Sequence, residues 1–282
     1  MQHEPAEQAA MSAVDPQPVD AHPPARPRLP INAQTWESLS LLHWEVPAEE
    51  VQALLPDGLI VDRYEGRTWF GVVPFVMSSV RVPPLPALGA RSRFPELNAR
   101  VYVHDFAGNR GVWFLSLWCS SAGFVASARA LGLPYHRALS HARRAGAAET
   151  ADAAAMADTA PMLGYRFLRS GSRLSESGVS FEAKVRALEP VDASSGLEAW
   201  LTARWNMFAR RGGRLWRYPV HHEPWRLRAA TAESLVTDLH GRFGFAPPRA
   251  APLAHVAEPV HALVSRPRLC PRRPLAGRPT ES

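Results

Sequence analysis

Between Phe94 and Val103 the chain alternates strictly after its proline. Leu97, Ala99, Val101 and Val103 fall on one side, and Glu96, Asn98, Arg100 and Tyr102 on the other. That is the period of a β-strand. The next apolar run, Val112-Trp113-Phe114-Leu115-Ser116-Leu117-Trp118, is apolar on both faces, the mark of a strand buried on both sides. A turn-rich segment, residues 104–111, lies between them and predicts a hairpin. The polar face of the first strand then has two readings. It is a solvated face, or it lines a polar interior cavity beside a doubly buried neighbour.

The remaining pattern predicts many short strands and few helices. Residues 36–44 read as a strand and 47–55 as a short helix, with Pro47 in its first turn and Glu49 and Glu50 at its positive end. Residues 59–64 and 68–77 read as strands, with Pro74 marking a bulge or a bare edge in the second. Small residues over 121–131 predict a helix, broken at Gly132-Leu133-Pro134. A second helix is expected over 134–144. Residues 165–173 and 179–188 pair as strands, and 198–201 forms a helical turn. Residues 203–208 and 215–220 form a hairpin across Arg210-Arg211-Gly212-Gly213. Thr231 caps an expected helix over 232–240 that Gly241 ends, and a last strand lies within 255–264. No alternating βαβ pattern appears, so the fold class is α+β, mostly antiparallel β.

Composition divides the 282 residues into three parts. Residues 1–33 form a Pro-rich leader and 268–282 a Pro- and Arg-rich tail, both expected to be disordered. Residues 34–267 form one domain, with 145–160 a low-complexity inserted loop. The leader has no apolar core of a secretory signal, and no run is long enough to span a bilayer. Cys119 and Cys270 are the only cysteines and suggest neither a disulfide framework nor a metal site. A reducing, cytoplasmic setting is the default. The net charge of +6 is nearly all arginine, since Lys184 is the only lysine. Those arginines are scattered without a recognition helix, so neither a nucleic-acid nor a membrane partner is expected. Homo-oligomerisation stays open.

Several segments occur in a characteristic order: Trp36-Glu37-Ser38-Leu39, Leu42-His43-Trp44, Leu55-Pro56-Asp57-Gly58-Leu59, Val73-Pro74-Phe75, Phe94-Pro95-Glu96-Leu97-Asn98, Gly132-Leu133-Pro134-Tyr135 and His221-His222-Glu223-Pro224-Trp225. Together they resemble the YqjF-like bacterial family, domain of unknown function 2071, over roughly residues 36–267. That family is similar in fold to acetoacetate decarboxylase, whose strongly bent sheet closes into a cone-like barrel around a small-molecule cavity. The decarboxylase carries a Gly-x-Pro-Lys-Lys turn whose first lysine forms a Schiff base. The matching run here is Gly132-Leu133-Pro134-Tyr135-His136, so both lysines are missing, while the resemblance retains a cavity carboxylate at Glu96.

The chemistry left to such a cavity is acid–base. Glu96, Tyr135 and His136 are the candidate catalytic residues, able to exchange protons with a bound carbonyl. Asn98, Arg100, Tyr102, Trp113, Arg129 and Arg204 are the candidate ligand-binding residues. Arg129 or Arg204 could serve Glu96, and Asp105, Glu223 or an anionic ligand could serve Arg100. Lys184 shares a polar strand face with Glu182 and Arg186 and reads as solvated. His221 and His222, adjacent on a strand, cannot both reach one ion. No metal and no cofactor is expected. The leading expectation is a small-molecule-binding barrel without Schiff-base chemistry. The alternatives are a lyase or hydrolase acting on a small carbonyl or carboxylate substrate, and a structural or interaction module.

Overall fold

Asp105 builds the turn on which the central hairpin depends. Its carboxylate accepts hydrogen bonds from the backbone N–H groups of Ala107 and Asn109 and from the Asn109 amide at 2.9–3.0 Å. A carboxylate that gathers several donors replaces the ladder bonds the turn interrupts. The computed structural model describes residues 15–87, 89–145, 161–169 and 179–271. Its strands are β1 (Asn32–Glu37), β2 (Leu39–Val46), β3 (Leu59–Val61), β4 (Thr68–Arg81), β5 (Phe94–Asp105), β6 (Arg110–Cys119), β7 (Tyr135–Ala145) and β8 (Met162–Arg169). They continue as β9 (Val179–Val191), β10 (Asn206–Arg211), β11 (Arg214–His221), β12 (Leu227–Thr237), β13 (Leu253–Ala257), β14 (Val260–Val264) and β15 (Arg268–Leu269). The helices are α1 (Ala48–Ala53), α2 (Ala122–Ala130), α3 (Gly196–Thr202) and α4 (Leu239–Arg242).

The strands form one continuous sheet that closes on itself twice. β1 bonds both β14 and β4, and β5 bonds both β4 and β6. One ring therefore runs β4, β5, β6, β10, β11, β14, β1 and back to β4. The other runs β4, β5, β6, β7, β8, β9, β12, β13, β2 and back to β4. All neighbours are antiparallel except β6 with β7 and β6 with β10. The strands β4, β5 and β6 are the wall shared by both rings. The larger ring is packed with apolar side chains, among them Leu42, Phe70, Val72, Phe167, Phe181 and Val185. Leu97, Ala99, Val101 and Val103 of β5 join that core and are fully buried.

Several expectations are corrected. Residues 134–144 are not a helix but strand β7. It pairs with β6 at Leu117, Trp118 and Cys119 and with β8 from Ala138 to Ala145. Residues 232–240 are likewise strand for most of their length. β12 is bonded to β9 on one edge and to β13 on the other, and the helix there is the short α4. In both cases the ladder bonds to a neighbouring strand, β9 for residues 232–237 and β6 then β8 along β7, outweigh helix preferences worth tenths of a kcal/mol per residue. The strand expected over 36–44 is split at Ser38, whose φ is +46°. The strand expected over 255–264 is split between Ala257 and Val260. Pro74 sits where the partner of β4 changes from β2, paired as far as Val72, to β1, paired from Val76.

The described part of the leader is a strap rather than a loose tail. The Gln17 N–H bonds Gly108 O at 2.9 Å, and Trp205 Nε1 donates to Asp20 O at 2.8 Å. His221 Nδ1 lies 2.8 Å from Pro24 O, and Val19 packs against Trp69, Tyr102 and Trp200. At the other end, Arg268 and Leu269 add β15 to β11, and the Cys270 N–H bonds Leu215 O at 3.0 Å. Most of the expected inserted loop lies outside the described residues, as do residues 1–14 and 272–282.

Gly132 ends α2 with φ +87°, and a Cβ there would stand 2.4 Å from Arg210 O of β10. Gly66 has a similar φ, +80°, but open space around it. Urea denaturation should therefore show Gly66→Ala costing about 1–2 kcal/mol, the left-handed backbone penalty alone. Gly132→Ala should cost clearly more, because backbone must move as well. Equal costs would contradict the close contact of α2's end with β10.

Candidate active site

The smaller ring encloses a cavity of about 210 Å³, several times the ~30 Å³ share of liquid that one water occupies. Glu96, Asn98 and Arg100 of β5 line it, with Gln34 and Trp36 of β1, Tyr135 of β7, Arg204, and His222 after β11. The remaining wall is largely apolar and includes Leu41, Val73, Phe75, Met77, Phe114, Leu117 and Leu133. A bulge shapes one side. Ala99 pairs with Ser116 but Arg100 pairs with Phe114, so Leu115 is the extra residue of β6. Side chains normally alternate, and the bulge resets that alternation. Val112 and Phe114 face the cavity before it, and Leu117 after it. Trp113, Leu115 and Trp118 pack into the larger ring.

At one end of the polar face, Tyr135 Oη donates to Glu96 Oε2 at 2.8 Å. Glu96 is 3% exposed. Burial pushes its carboxyl up to about 8, against the opposing pull of the Tyr135 hydrogen bond. Tyr135 is held well above its ordinary value by burial and then by Glu96. Cys119, which pairs with Glu96 across the ladder, is pushed up to about 12, by burial first and Glu96 second. At neutral pH Glu96 is therefore a neutral acid with a proton to donate.

At the other end the cationic groups gather around Tyr102. Arg100 Nε donates to Tyr102 Oη at 3.3 Å, and His43 Nε2 lies 2.6 Å from the same oxygen. Burial, then the charge of Arg100, holds His43 well below its ordinary value. Gly71 leaves room for this contact, since a Cβ there would meet Tyr102 Oη at 3.1 Å. Arg204 stacks over Trp200 and Tyr102, 4.1 and 4.9 Å from their ring centres. Its Nη1 pairs with Asp62 Oδ2 at 2.5 Å, and Arg110 pairs with the same carboxylate. Four buried polar atoms of cavity-lining residues, Gln34 Oε1, Trp36 Nε1, Asn98 Oδ1 and Arg204 Nη2, have no protein hydrogen-bond partner.

The structure brings together Glu96 and Tyr135 but not His136. In a strand, neighbours point to opposite faces. His136 is exposed on the far face of β7, beside Trp118, so the expected catalytic trio is a pair. Trp113 belongs to the larger ring for the same reason. Arg129 does not reach Glu96, because its Nε donates to Tyr135 O at 2.6 Å. Arg204 serves Asp62 rather than Glu96. Neither expected partner reaches Arg100. Asp105 holds the β5–β6 turn, and Glu223 accepts from the His261 N–H at 2.7 Å. Among the described residues Arg100 makes no ion pair with a carboxylate. Lys184 is exposed on β9, away from the cavity. His221 and His222 point apart. His222 is packed among Trp36, Trp205 and Trp225 and lowered to about 4, chiefly by burial. Among the described residues no three metal-ligating side chains gather, and no helix is long and apolar enough to cross a membrane. Asp62, Arg110, His43 and Gln34 were not legible as site residues. They come from separate strands and connections, and no local spacing marks them.

The sequence model of the DUF2071 family, described as an uncharacterized conserved protein, matches residues 33–261. The chain belongs to this family. Its relative YqjF of Bacillus subtilis (strain 168), itself uncharacterized, is 30% identical over 231 residues, which is 81% of this chain and 88% of that protein. Among solved structures, the enduracididine biosynthesis enzyme MppR complexed with pyruvate superposes with a TM-score of 0.59 at 13% identity, over 87% of this chain and 92% of that one. An acetoacetate decarboxylase-like enzyme from Sphingomonas wittichii RW1 gives 0.58 at 14% identity, over 86% and 94%. Acetoacetate decarboxylase from Legionella pneumophila gives 0.53 at 12% identity, over 88% and 92%. DUF2071 chains of this kind thus share the acetoacetate decarboxylase-like fold.

Because the folded-state value of Glu96 is raised, the native state holds a proton that the unfolded chain releases near its ordinary carboxyl value. The stability this gives is complete below that value and is lost as pH rises through about 8. Thermal denaturation from pH 4.5 to 8.5 should show Glu96→Gln gaining steadily on wild type as pH rises. A constant difference across that range would mean that Glu96 is ionised normally and wet.

Proposed function

We propose that this DUF2071 protein binds a small molecule inside its smaller ring and does so without imine chemistry. The observation that carries this reading is an enclosed cavity whose wall holds four buried, partnerless polar atoms, Gln34 Oε1, Trp36 Nε1, Asn98 Oδ1 and Arg204 Nη2. Each such atom costs on the order of 1–3 kcal/mol when left unpaired, a cost that a bound polar molecule would offset. The pyruvate complex of MppR gives a precedent within the fold for a small ligand. Imine formation needs an amine, and the one lysine, Lys184, is exposed on β9. Where the decarboxylase turn carries its lysine, this chain has Tyr135, a phenol bonded to an acid.

One observation favours a second reading, an acid-catalysed lyase or hydrolase. Glu96, raised to about 8 by burial, is poised to deliver a proton near neutral pH. It would act with Tyr135 and without His136.

The cavity rim includes the exposed Ser127 of α2. Small molecules extracted from natively purified protein should include a reproducible compound by mass spectrometry. Ser127→Trp, which crowds the rim without disturbing the core, should reduce its yield severalfold. Protein that carries no compound, and is not stabilised by any member of a metabolite library, would favour the structural reading. Borohydride treatment with pyruvate should leave Lys184 unmodified. A stoichiometric adduct there would restore imine chemistry.

A further inference from the structure

We infer that the cavity takes amphipathic monocarboxylic acids, with the carboxylate at Arg100 and a hydrocarbon body along the apolar wall. This rests on the ligand-binding reading above and narrows it to a chemical class.

The charge balance around Tyr102 points to an anion. Arg204 and Arg110 share the single carboxylate of Asp62. Arg100 is a third guanidinium, with its charge centre 5.6 Å from the centre of the Tyr102 ring. The hydrogen bond it donates, from Nε to Tyr102 Oη, neutralises no charge. Nearby groups supply no negative charge either. Glu96 is held as its neutral acid, Asp105 closes a turn, and Glu223 is bonded to His261. His43 faces the same phenol and is kept from protonating by burial and by Arg100 itself. Arg100 is half-buried at the cavity, and a carboxylate would supply the counter-charge it lacks and match its planar donor pair. A second donor lines the same cavity. Arg204 Nη2 is buried and has no protein hydrogen-bond partner.

The rest of the wall selects the body attached to that carboxylate. Leu41, Val73, Phe75, Met77, Leu117 and Leu133 offer no polar atom for hydroxyl or amino substituents. Burying a hydrocarbon chain against them is favourable in proportion to the apolar area removed from water. A second anionic group at the far end of the body is disfavoured, because Glu96, and no cation, stands at that end of the same strand face. Four residues of strand separate Glu96 from Arg100, roughly 13 Å. A medium-length body therefore spans the apolar wall between them, and an oxygen at its far end could accept the Glu96 proton.

Isothermal titration of the full-length protein with octanoate, 1-octanol, acetate and pyruvate tests this. Octanoate should bind at least about tenfold more tightly than octanol, about 1.4 kcal/mol, and more tightly than acetate or pyruvate. Arg100→Gln should bring octanoate down to the affinity of octanol and leave octanol unchanged. The ratios measured on wild type stand by themselves if that variant does not fold. Octanol binding as tightly as octanoate would overturn the anionic head. Acetate or pyruvate matching octanoate would overturn the hydrocarbon body. If neither eight-carbon probe binds, the proposed class is wrong, while the extraction experiment with Ser127→Trp separately decides whether the cavity binds anything.

Discussion

Strand β5 is hydrogen-bonded along both edges and enclosed on both faces. β4 and β6 are its neighbours, the packed core of the larger ring lies on one side, and the cavity of the smaller ring lies on the other. All of its side chains but the half-buried Pro95 and Arg100 are buried, yet it carries a carboxyl, an amide, a guanidinium and a phenol. Desolvating such groups costs several kcal/mol each unless they are paired or neutralised. Much of the surrounding structure reads as the solution. Tyr135 is brought to Glu96, and Glu96 keeps its proton. Tyr102 is shared by His43 and Arg100, over a glycine that leaves it room. Asp62 is held between Arg110 and Arg204. On the cavity wall itself, atoms of Gln34, Trp36, Asn98 and Arg204 are left without a protein partner.

The turn at Gly132-Leu133-Pro134 is the second fixed point. It ends α2, passes tightly under β10 at Gly132 and delivers the next residue into the cavity at the start of β7. Because β7 is a strand, only one of Tyr135 and His136 can enter. In the decarboxylase that this fold resembles, the matching turn carries lysine. Tyrosine at that point replaces a nucleophilic amine with a hydrogen-bond donor, and the acid beside it becomes the group whose proton matters. A shared architecture can thus keep its cavity while the chemistry inside it changes.

The parts of this arrangement legible in the chain are those with short-range causes. The alternation of residues 97–103 shows the two faces of β5. Asp105 and Asn109 mark its turn, and the paired glycines 212 and 213 mark the β10–β11 hairpin. The misread elements have long-range causes. Ala138, Ala142, Arg143 and Arg144 look helical in isolation, and only the edge of β8 makes them strand. Residues 232–237 are held extended by β9. Arg110 and Asp62, 48 positions apart, meet because β3 and β6 flank β5. The bulge at Leu115, which puts Phe114 and Leu117 on the same cavity face, leaves no trace in a run apolar on both faces. The strap over residues 15–30 has a disordered composition and is held by backbone carbonyls, which composition does not reveal.

The central claim is that the polar face of β5 looks into a dry cavity rather than into water. The most direct measurement is the carboxyl titration of Glu96 itself, followed by infrared spectroscopy as the difference between wild type and Glu96→Gln, and repeated in Tyr135→Phe. A buried acid bonded to Tyr135 titrates near 8 in wild type. It moves higher when the Tyr135 hydroxyl, which favours the ionised form, is removed. A Glu96 that is already ionised at pH 6, and indifferent to the loss of the Tyr135 hydroxyl, would contradict the account.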